Sequence, residues 1–203
     1  MLDTCIIFNG PPGCGKDTLA ELLADEGYKH MAMKTSLYKA TATYFNVDLE
    51  AFIDQATDRV CKELPWHPLR RANGNARPND VGNLIHSYTP REALIHVSED
   101  IIKPTYGEDF FGKAAAQSCL NADAQYAVFS DGGFKEEIYP LMDVYQTVFI
   151  IQLFRKGCSF ANDSRDYLNG FPNTHTLFLE EDQPELAIQS ILSIVENKDV
   201  TAA

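Results

Sequence analysis

Short apolar runs alternate with amphipathic stretches along the chain, and this alternation predicts the order of its elements. The run from Thr4 to Asn9 (TCIIFN) is nearly continuous and rich in β-branched residues, and glycines and prolines follow it at once. Such a run is typical of a buried parallel strand. From Lys16 the leucines recur at helical spacing, and Gly27 marks the end of that helix. The first elements are therefore predicted as strand, glycine-rich loop and helix.

Later segments repeat this alternation. Further strands are predicted over residues 28–33, 126–130, 147–154 and 176–179. Helices are predicted after Ser36 as an N-cap, over 48–63, from Pro90 to an end at Pro104 and Gly107, from 108 or 109 to 120, up to Met142, and over 184–195. Because strands and helices alternate, we expect an α/β fold. It is predicted as a three-layer sandwich, with a parallel sheet of about five strands and helices on both faces.

The chain contains no internal repeat, no low-complexity tract and no clear linker, so we predict a single domain over residues 1–203. Segment 65–83 (PWHPLRRANGNARPNDVGN) has no periodicity, is rich in proline, glycine and asparagine, and carries Arg70, Arg71 and Arg77. A loop of this length inside a compact domain is usually either functional or disordered.

Composition narrows the classes of partner. The 203 residues are 45% hydrophobic and 23% charged, which is ample for a full core. The formal net charge is −12, whereas proteins that bind nucleic acid through its phosphates carry basic surfaces. We therefore expect no nucleic-acid partner. A small anionic ligand stays compatible with the acidic background, since a few local cations are enough to hold it.

The cysteines, the histidines and the N-terminus argue against disulfide-rich, zinc-binding, exported and membrane-spanning proteins. Five cysteines are scattered without a C-x-x-C pair, which favours reduced thiols over a disulfide framework or a zinc site. The five histidines also lack metal-ligand spacing. We see neither a basic segment followed by an apolar run at the N-terminus nor a stretch approaching about 18 apolar residues. The expectation is a soluble, cytoplasmic protein with no membrane partner.

The segment from Gly10 to Thr18 (GPPGCGKDT) nearly completes the phosphate-loop pattern G-x-x-x-x-G-K-[ST]. In such loops, glycines let successive backbone N–H groups approach phosphate oxygens, and the following helix adds its positive N-terminal end. The lysine reaches the β- and γ-phosphates. The spacing, the lysine, the strand and the helix together favour a nucleotide site over a glycine-rich turn that merely joins two elements. Its predicted residues are Gly10, Gly13, Cys14, Gly15, Lys16, Asp17 and Thr18.

Asp17 stands where the pattern has a hydroxyl, and Thr18 supplies the hydroxyl one position later. An acid in the first turn of a helix complements the helix dipole, which is the simplest explanation of Asp17. A carboxylate is also a hard oxygen ligand that suits Mg²⁺, and beside a triphosphate it makes sense only with a metal between them. We therefore predict that Asp17 is a metal ligand and that Thr18 contacts an α- or β-phosphate.

Together with later motifs, this loop resembles the bacteriophage-type deoxynucleoside monophosphate kinases, a branch of the P-loop kinases. The matching motifs run from Gly10 to Arg165, and an aspartate after the loop lysine is familiar in that family. The resemblance implies ATP and Mg²⁺ as cofactors. It also implies a P-loop core that carries a substrate-binding insertion over about 34–120 and a lid over about 155–173.

Segment 89–111 (TPREALIHVSEDIIKPTYGEDFF) is similar to a helix of the family that has an arginine near its start and an acidic and aromatic cluster near its end. The resemblance implies that Arg91 holds the acceptor phosphate, and an arginine fork suits a phosphate. A surface ion pair of Arg91 with Glu92 or a neighbour is the alternative. Asp109 and Phe111 are implied substrate contacts, or else an N-cap and a core residue.

Segment 131–137 (DGGFKEE) resembles the family's Asp-x-Arg-Phe-x-x-Glu. It implies that Asp131 and Phe134 contact the substrate. An acid at the end of a core strand beside a phosphate loop is also a ligand of Mg²⁺-bound water, or a base, in many relatives. The alternative is that Asp131 only forms a turn before two glycines. Gly133 stands where the family has arginine, so that contact is missing unless Lys135 points inward and replaces it.

Segment 153–168 (LFRKGCSFANDSRDYL) resembles the family's strand followed by a lid. The resemblance implies that Arg155 lies near the adenine or the ATP phosphates. It implies that Arg165 closes onto the transferring phosphoryl group, where the reaction needs charge stabilisation and the exclusion of water. A surface pair of Arg165 with Asp163 or Asp166 is the alternative.

Lys39 is implied to face the acceptor phosphate, with a solvated lysine as the alternative. The residues assigned to catalysis are Lys16, Arg91, Asp131 and Arg165. The expected reaction is ATP-dependent phosphorylation of a deoxynucleoside 5′-monophosphate, with these two small molecules as partners, and related phage enzymes suggest a homodimer. Two rival functions remain. One is a P-loop kinase for another phosphorylated metabolite, and the other is a nucleotide-binding switch or NTPase module that docks a protein partner through segment 65–83.

Overall fold

The structure is a computed structural model that describes residues 1–69, 87–161, 163 and 165–199. The chain forms two compact units. Residues Lys34–Phe110 make up one, which we call the inserted unit. Residues Met1–Met33 and Phe111–Ala203 make up the other, which we call the core unit. The insertion predicted over about 34–120 covers the inserted unit, and the assignment of all 203 residues to one domain stays a prediction.

A five-stranded parallel sheet forms the centre of the core unit. Its strands are β1 (Leu2–Asn9), β2 (Lys29–Met31), β3 (Tyr126–Phe129), β4 (Tyr145–Arg155) and β5 (Thr174–Leu179). They lie in the order β2-β3-β1-β4-β5, and each neighbouring pair is parallel. All carboxyl ends therefore lie at one edge of the sheet. The strands predicted from the apolar runs are confirmed, with bounds that differ by at most two residues.

Eight α-helices accompany the sheet in the described part of the chain. They are α1 (Lys16–Asp25), α2 (Thr35–Phe45), α3 (Leu49–Thr57), α4 (Pro90–Ile95), α5 (Lys103–Tyr106), α6 (Phe110–Asn121), α7 (Lys135–Met142) and α8 (Pro184–Asp199). A 3₁₀ turn (Cys61–Glu63) follows α3, and a π-helical stretch (His96–Ile102) joins α4 to α5. Within the described residues, no helix is both long and apolar enough to cross a membrane.

Side chains of β1 alternate between two buried clusters, one on each face of the sheet. Cys5 and Ile7 pack with residues of α6 and α7, whereas Ile6 and Phe8 pack with residues of α1 and α8. Successive strand residues point to opposite faces, so helices cover both sides of the sheet. The predicted three-layer α/β arrangement is therefore confirmed.

The inserted unit has an apolar cluster of its own. Tyr38 of α2 and Phe52 of α3 meet edge to face, and Tyr88 stacks on His96 at the start of the π-helical stretch. Leu69, from the described start of segment 65–83, is fully buried in the same cluster. The three arginines of that segment, Arg70, Arg71 and Arg77, lie outside the described residues.

Two predicted helix boundaries in the inserted unit are wrong. Ser36 is not the N-cap of α2, because Lys34 already has helical backbone angles (φ −71°, ψ −6°) and occupies that position. The helix predicted over 48–63 ends at Thr57, because the Asp58 carboxylate accepts the backbone N–H groups of Val60 and Cys61 at 2.8 and 2.7 Å. An Asp side chain that binds nearby backbone in this way competes with continued helix.

The helix predicted after Thr89 begins at Pro90 and ends at Gly107 as expected, but Pro104, which was also expected to end it, lies inside it. Thr89 and Glu92 form a reciprocal capping box, with Pro90 in the first turn as predicted. Pro104, however, does not end the helical segment, which continues through Tyr106 to Gly107. A proline ring clashes with the carbonyl four residues earlier in a regular α-helix. The wider π-helical stretch before Pro104 provides that space.

The contact between α6 and α7 yields a stability prediction. A Cβ at Gly112 would lie 2.6 Å from the backbone oxygen of Glu137 and 2.7 Å from its Cα. We expect Gly112→Ala to lower the free energy of unfolding in urea by on the order of 1–3 kcal/mol, because backbone cannot yield as a side chain can. The control is Ser118→Ala on the exposed face of α6, with an effect of about 0.5 kcal/mol or less. Equal stability of the two variants would contradict this close packing.

Candidate functional site

The phosphate-loop motif lies at the carboxyl end of β1, at the point where the sheet connections change direction. The chain leaves β1 towards β2 on one side and leaves β4 towards β5 on the other. In open α/β sheets, ligands bind in the crevice at such a point. Gly10 leaves β1 so close to β4 that a Cβ would lie 2.9 Å from the Leu153 carbonyl oxygen and 2.9 Å from Cys14 Sγ. Glycine at this position is therefore a packing requirement.

The loop opens onto the start of α1 without a side-chain cap. Gly13 and Gly15 have φ of 77° and 104°, a region that residues with a Cβ rarely adopt. Gly15 is the N-cap residue and provides no side chain to bind the first N–H groups of α1. Those N–H groups and the helix dipole thus suit an anion, such as a phosphate.

Lys16 is held inside the loop by backbone carbonyls. Its Nζ donates to the oxygens of Gly10 and Pro11, both at 2.7 Å, and lies 3.7 Å from Cys14 Sγ. Burial is the largest cause that lowers the pKa of Lys16, and the positive charge of Arg165 lowers it further. The ammonium therefore lies beside the uncapped start of α1. Its present partners are two backbone carbonyls, which an incoming phosphate can replace.

Asp17 and Thr18 lie exposed in the first turn of α1. Among the described residues, no group of three or more His, Cys, Asp or Glu side chains is arranged to hold a metal ion. Mg²⁺ that arrives with a nucleotide keeps several waters and needs only one or two protein oxygens besides the phosphates. The carboxylate of Asp17 fits that requirement. Its role as a metal ligand and the role of Thr18 as a phosphate contact stay predictions.

Asp131 connects the ends of two strands. Its Oδ1 accepts the backbone N–H of Met33 at 2.9 Å, which fastens the chain after β2 to the end of β3. A Cβ at Gly132 would lie 2.6 Å from Ile7 Cγ2 of β1. The turn that contains Asp131 is therefore packed tightly against the strand that leads into the phosphate loop. The predicted metal-water or base role of Asp131 remains a prediction beside this structural one.

A cavity of about 170 Å³ adjoins the phosphate loop on the side of β4 and β5. Arg155, at the end of β4, has Nη1 4.0 Å from the position of a Cβ on Gly15, and Nη2 3.7 Å from Glu181 Oε1. The rest of the lining comes from the phosphate loop and the start of α1, and from the end of β5 and the chain after it: Cys14, Gly15, Thr18, Leu19, Leu179, Glu180, Asp182, Gln183 and Pro184. Sequence reasoning missed the segment 180–184, although its position after the last strand puts it at the same edge of the sheet.

Arg165 is largely shielded from solvent and forms a fork with Asp163. Its Nε and Nη2 donate to the two carboxylate oxygens of Asp163 at 2.9 and 2.7 Å. The exposed fractions of these side chains are 28% and 11%, so this pair is not an ordinary surface ion pair. The hydrogen bonds with Asp163 raise the pKa of Arg165, and the charges of Asp131 and Glu137 add to that effect. Arg165 thus lies among acids at the carboxyl edge of the sheet.

Two buried amides fix the segment that follows Arg165. Asn9, at the end of β1, donates to the Asp166 carbonyl at 3.2 Å and accepts the Leu168 N–H at 2.8 Å. Gln152 of β4 donates to the Leu168 carbonyl at 2.8 Å. Asn9 and Gln152 are 1% and 6% exposed. The C-terminal part of the predicted lid 155–173 is therefore hydrogen-bonded to β1 and β4, the two strands beside the phosphate loop.

The remaining predicted site residues are distributed between the two units. In the inserted unit, Lys39 is exposed, Asp109 directly precedes α6, and Arg91 pairs with Glu63 at 3.0 Å. Glu92, the partner considered from sequence, instead takes part in the capping box. In the core unit, Phe111 is buried at 4% exposure and Phe134 is 37% exposed. The substrate roles of these five residues stay predictions.

Comparison with known proteins adds little to this picture. No protein-family profile and no curated protein matches the chain. The solved structures that match include an unliganded sugar kinase from Janibacter sp. HTCC2649, with 12% identity, coverage of 97% of this chain and 95% of that chain, and a TM-score of 0.49. They also include a variant of the APS kinase of Mycobacterium tuberculosis, with 13% identity, coverage of 96% and 98%, and a TM-score of 0.41. Similarity this low does not bear on the function of the site.

The environment of Lys16 yields a pH-dependent prediction. Below its lowered pKa, the folded protein carries the full cost of the buried charge, and this cost vanishes as pH rises towards the unfolded-chain pKa of about 10.4. The stability of Lys16→Met relative to wild type should therefore decrease as pH rises from about 7 to about 10. Urea denaturation at several pH values measures it. Lys156→Met, at an exposed position, controls for the loss of one positive charge, and a pH-independent difference for Lys16→Met would contradict the prediction.

Proposed function

We propose that this protein is an ATP-dependent kinase that phosphorylates deoxynucleoside 5′-monophosphates. One observation carries the proposal, the gathering of cations around the uncapped start of α1. Lys16 is bound inside the phosphate loop, and Arg155 lies beside Gly15. The charge of Arg165 is close enough to lower the pKa of Lys16. These three cations lie at the same edge of the sheet, on a chain of net charge −12. Such a site suits a polyphosphate. The choice of a monophosphate acceptor is supported by the sequence resemblance.

In this proposal, the described residues act mainly by binding and by stabilising charge. The N–H groups at the start of α1 and the Lys16 ammonium hold the donor phosphates, and Arg155 lines the adjoining cavity. That cavity receives the nucleoside part of the donor. Asp17 would hold Mg²⁺, which would neutralise charge on the β- and γ-phosphates, and Thr18 would contact an α- or β-phosphate. No general base is required, because the acceptor phosphate is already anionic.

The acceptor side of the proposal rests on the inserted unit. Arg91 is assigned to the acceptor phosphate, and its present partner Glu63 is about half exposed, so this ion pair is weak enough to be exchanged. Lys39 and Asp109 of the same unit are assigned to the acceptor as well. So are three residues of the core unit: Phe111, Asp131 and Phe134. A kinase for another small phosphorylated metabolite would use the same donor site, and only the acceptor would differ.

The proposal is tested with a coupled assay for ADP release, using ATP, Mg²⁺ and each deoxynucleoside monophosphate in turn. We expect turnover with at least one of them, and a loss on the order of 10²–10³-fold in Lys16→Met because charge stabilisation is removed. Other phosphorylated acceptors run in parallel test the metabolite kinase. ATP hydrolysis without any acceptor would instead favour the NTPase module, and no turnover with any acceptor would contradict the proposal.

Replacements of Asp17 separate a metal ligand from a helix-start acid. Asp17→Ser restores an oxygen at the standard pattern position, whereas Asp17→Ala removes it. If Asp17 binds Mg²⁺ directly or through one water, Asp17→Ala should require at least about 10-fold more Mg²⁺ for half-maximal turnover, because one charged ligand contact is lost. The Mg²⁺ concentration that Asp17→Ser requires for half-maximal turnover should be closer to that of wild type. Equal Mg²⁺ dependence of wild type and Asp17→Ala would leave Asp17 only its contribution to the helix dipole.

A further inference from the structure

Gly133 and Arg165 compete for a single space. A Cβ at Gly133 would lie 2.4 Å from Cδ of Arg165 and 3.0 Å from its Cγ, and the three heavy atoms nearest to that position all belong to Arg165. The backbone of Gly133 does not have the positive φ that favours glycine. Its conformation therefore does not demand glycine. What excludes a side chain at this position is the aliphatic stem of Arg165.

Gly132 next to it is constrained differently. A Cβ at Gly132 would meet Ile7, a β-branched core residue of β1 that has little freedom to move. The Arg165 stem is flexible, so a methyl group at Gly133 is relieved most cheaply by rotation of Arg165 out of its place. Gly133→Ala is therefore expected to fold, with Arg165 displaced.

The fork with Asp163 defines which way the Arg165 guanidinium faces. Asp163 accepts from Nε and from Nη2, which together form one edge of the planar group. A guanidinium has five N–H donors, and two of them are used in this fork. The edge formed by Nη1 and the second hydrogen of Nη2, which we call the outer edge, points away from Asp163. Its geometry suits two oxygens of one phosphate.

The place of Arg165 beside the phosphate loop follows from its neighbours in the chain. Asp166, the next residue, accepts a hydrogen bond from Asn9, which directly precedes Gly10 of the loop. Arg165 also crosses Gly133, which lies after the carboxyl end of β3. In addition, its charge lowers the pKa of Lys16, the loop lysine.

We propose that Gly133 is a positioning residue, whose missing side chain lets Arg165 cross the end of β3 and present its outer edge to the phosphates held by loop 10–18. The inference rests on the proposed function, because it takes a nucleotide in that loop as the ligand. Arg165 touches the phosphate, and Gly133 acts only through Arg165. No part of Gly133 itself contacts the nucleotide.

A double-mutant cycle tests this inference on the whole chain. Isothermal titration calorimetry with Mg²⁺ and a non-hydrolysable ATP analogue measures the Kd of wild type, Gly133→Ala, Arg165→Ala and the double variant. Loss of a charged hydrogen bond predicts a Kd about 10-fold or more higher for Arg165→Ala and a similar rise for Gly133→Ala. The double variant should match Arg165→Ala to within about 2-fold, because the methyl group then has nothing left to displace.

Gly27→Ala is the matched control for the general cost of adding a methyl group to a glycine. Gly27 follows α1, has a φ of 94°, and has no atom within 4 Å of its Cβ position. The substitution strains the backbone away from the site, so thermal stability should fall while the Kd for the analogue stays within about 2-fold of wild type. Gly133→Ala should show the reverse, a changed Kd with a smaller change in thermal stability.

Rescue with ethylguanidinium tests whether Arg165→Ala leaves an empty space over Gly133 or instead distorts the whole site. In Arg165→Ala, the added cation can occupy the space over Gly133 and should strengthen binding of the analogue. In the double variant, the methyl group narrows that space, and the rescue should be weaker. Equal rescue in both variants would overturn the inference, because it would show that Gly133 does not border the position of the guanidinium.

Failure of this inference is distinguishable from failure of the proposed function. If the wild type binds the analogue but phosphorylates no acceptor, only the proposed kinase activity fails. If it binds the analogue and Gly133→Ala binds as well as wild type, or if the two single effects multiply in the double variant, only the positioning role of Gly133 fails. If the wild type does not bind the analogue at all, both fail.

Discussion

The candidate site depends on the burial of β1 between two parallel neighbours. A buried strand must pair its backbone N–H and C=O groups on both sides, and β1 does so with β3 and β4. The chain that leaves β1 at Gly10 therefore emerges between the carboxyl ends of those strands. This placement brings the phosphate loop next to the turn after β3 and next to Arg155, although these segments are distant in sequence. The close packing of Gly10 and Gly132 is a consequence of the same crowding.

Two of the three cations at this edge are already held by acceptors on the protein. Lys16 donates to loop carbonyls, and Arg165 donates two hydrogen bonds to Asp163. Arg155 lies 3.7 Å from an exposed glutamate. Holding the side chains in this way reduces the conformational entropy that a ligand would otherwise have to remove. A nucleotide would thus meet two cations, Lys16 and Arg165, whose positions are largely fixed in advance, on a chain that is acidic as a whole.

Local patterns predicted much of this arrangement. The run TCIIFN predicted the first strand, the glycine spacing predicted the loop, and the leucine periodicity predicted the first helix. Gly27, with a positive φ of 94°, follows that helix as expected. Thr89 and Pro90 likewise marked a helix start correctly. The failures at Ser36 and Pro104 arose because neighbouring backbone conformation outweighed a local preference.

Other features of the site depend on contacts between distant parts of the chain, and no local pattern contains them. The amide of Asn9 looks like the last polar residue of a strand, yet it holds the segment after Arg165. The cavity lining after β5 comes from residues without a motif. Gly133 seemed only a missing arginine, whereas the structure fills its space with Arg165. These relations emerge only when the sheet has brought the strand ends together.

The central claim is that loop 10–18 binds nucleotide phosphates, and an NMR titration of the ¹⁵N-labelled chain tests it most directly. Addition of a non-hydrolysable ATP analogue with Mg²⁺ should shift the backbone amide signals of Gly13, Gly15 and Lys16 most strongly, with smaller changes along the cavity after β5. Omission of the nucleotide, with Mg²⁺ alone, should leave the loop signals in place. Unchanged loop signals at saturating analogue, or shifts confined to residues away from this sheet edge, would contradict the account.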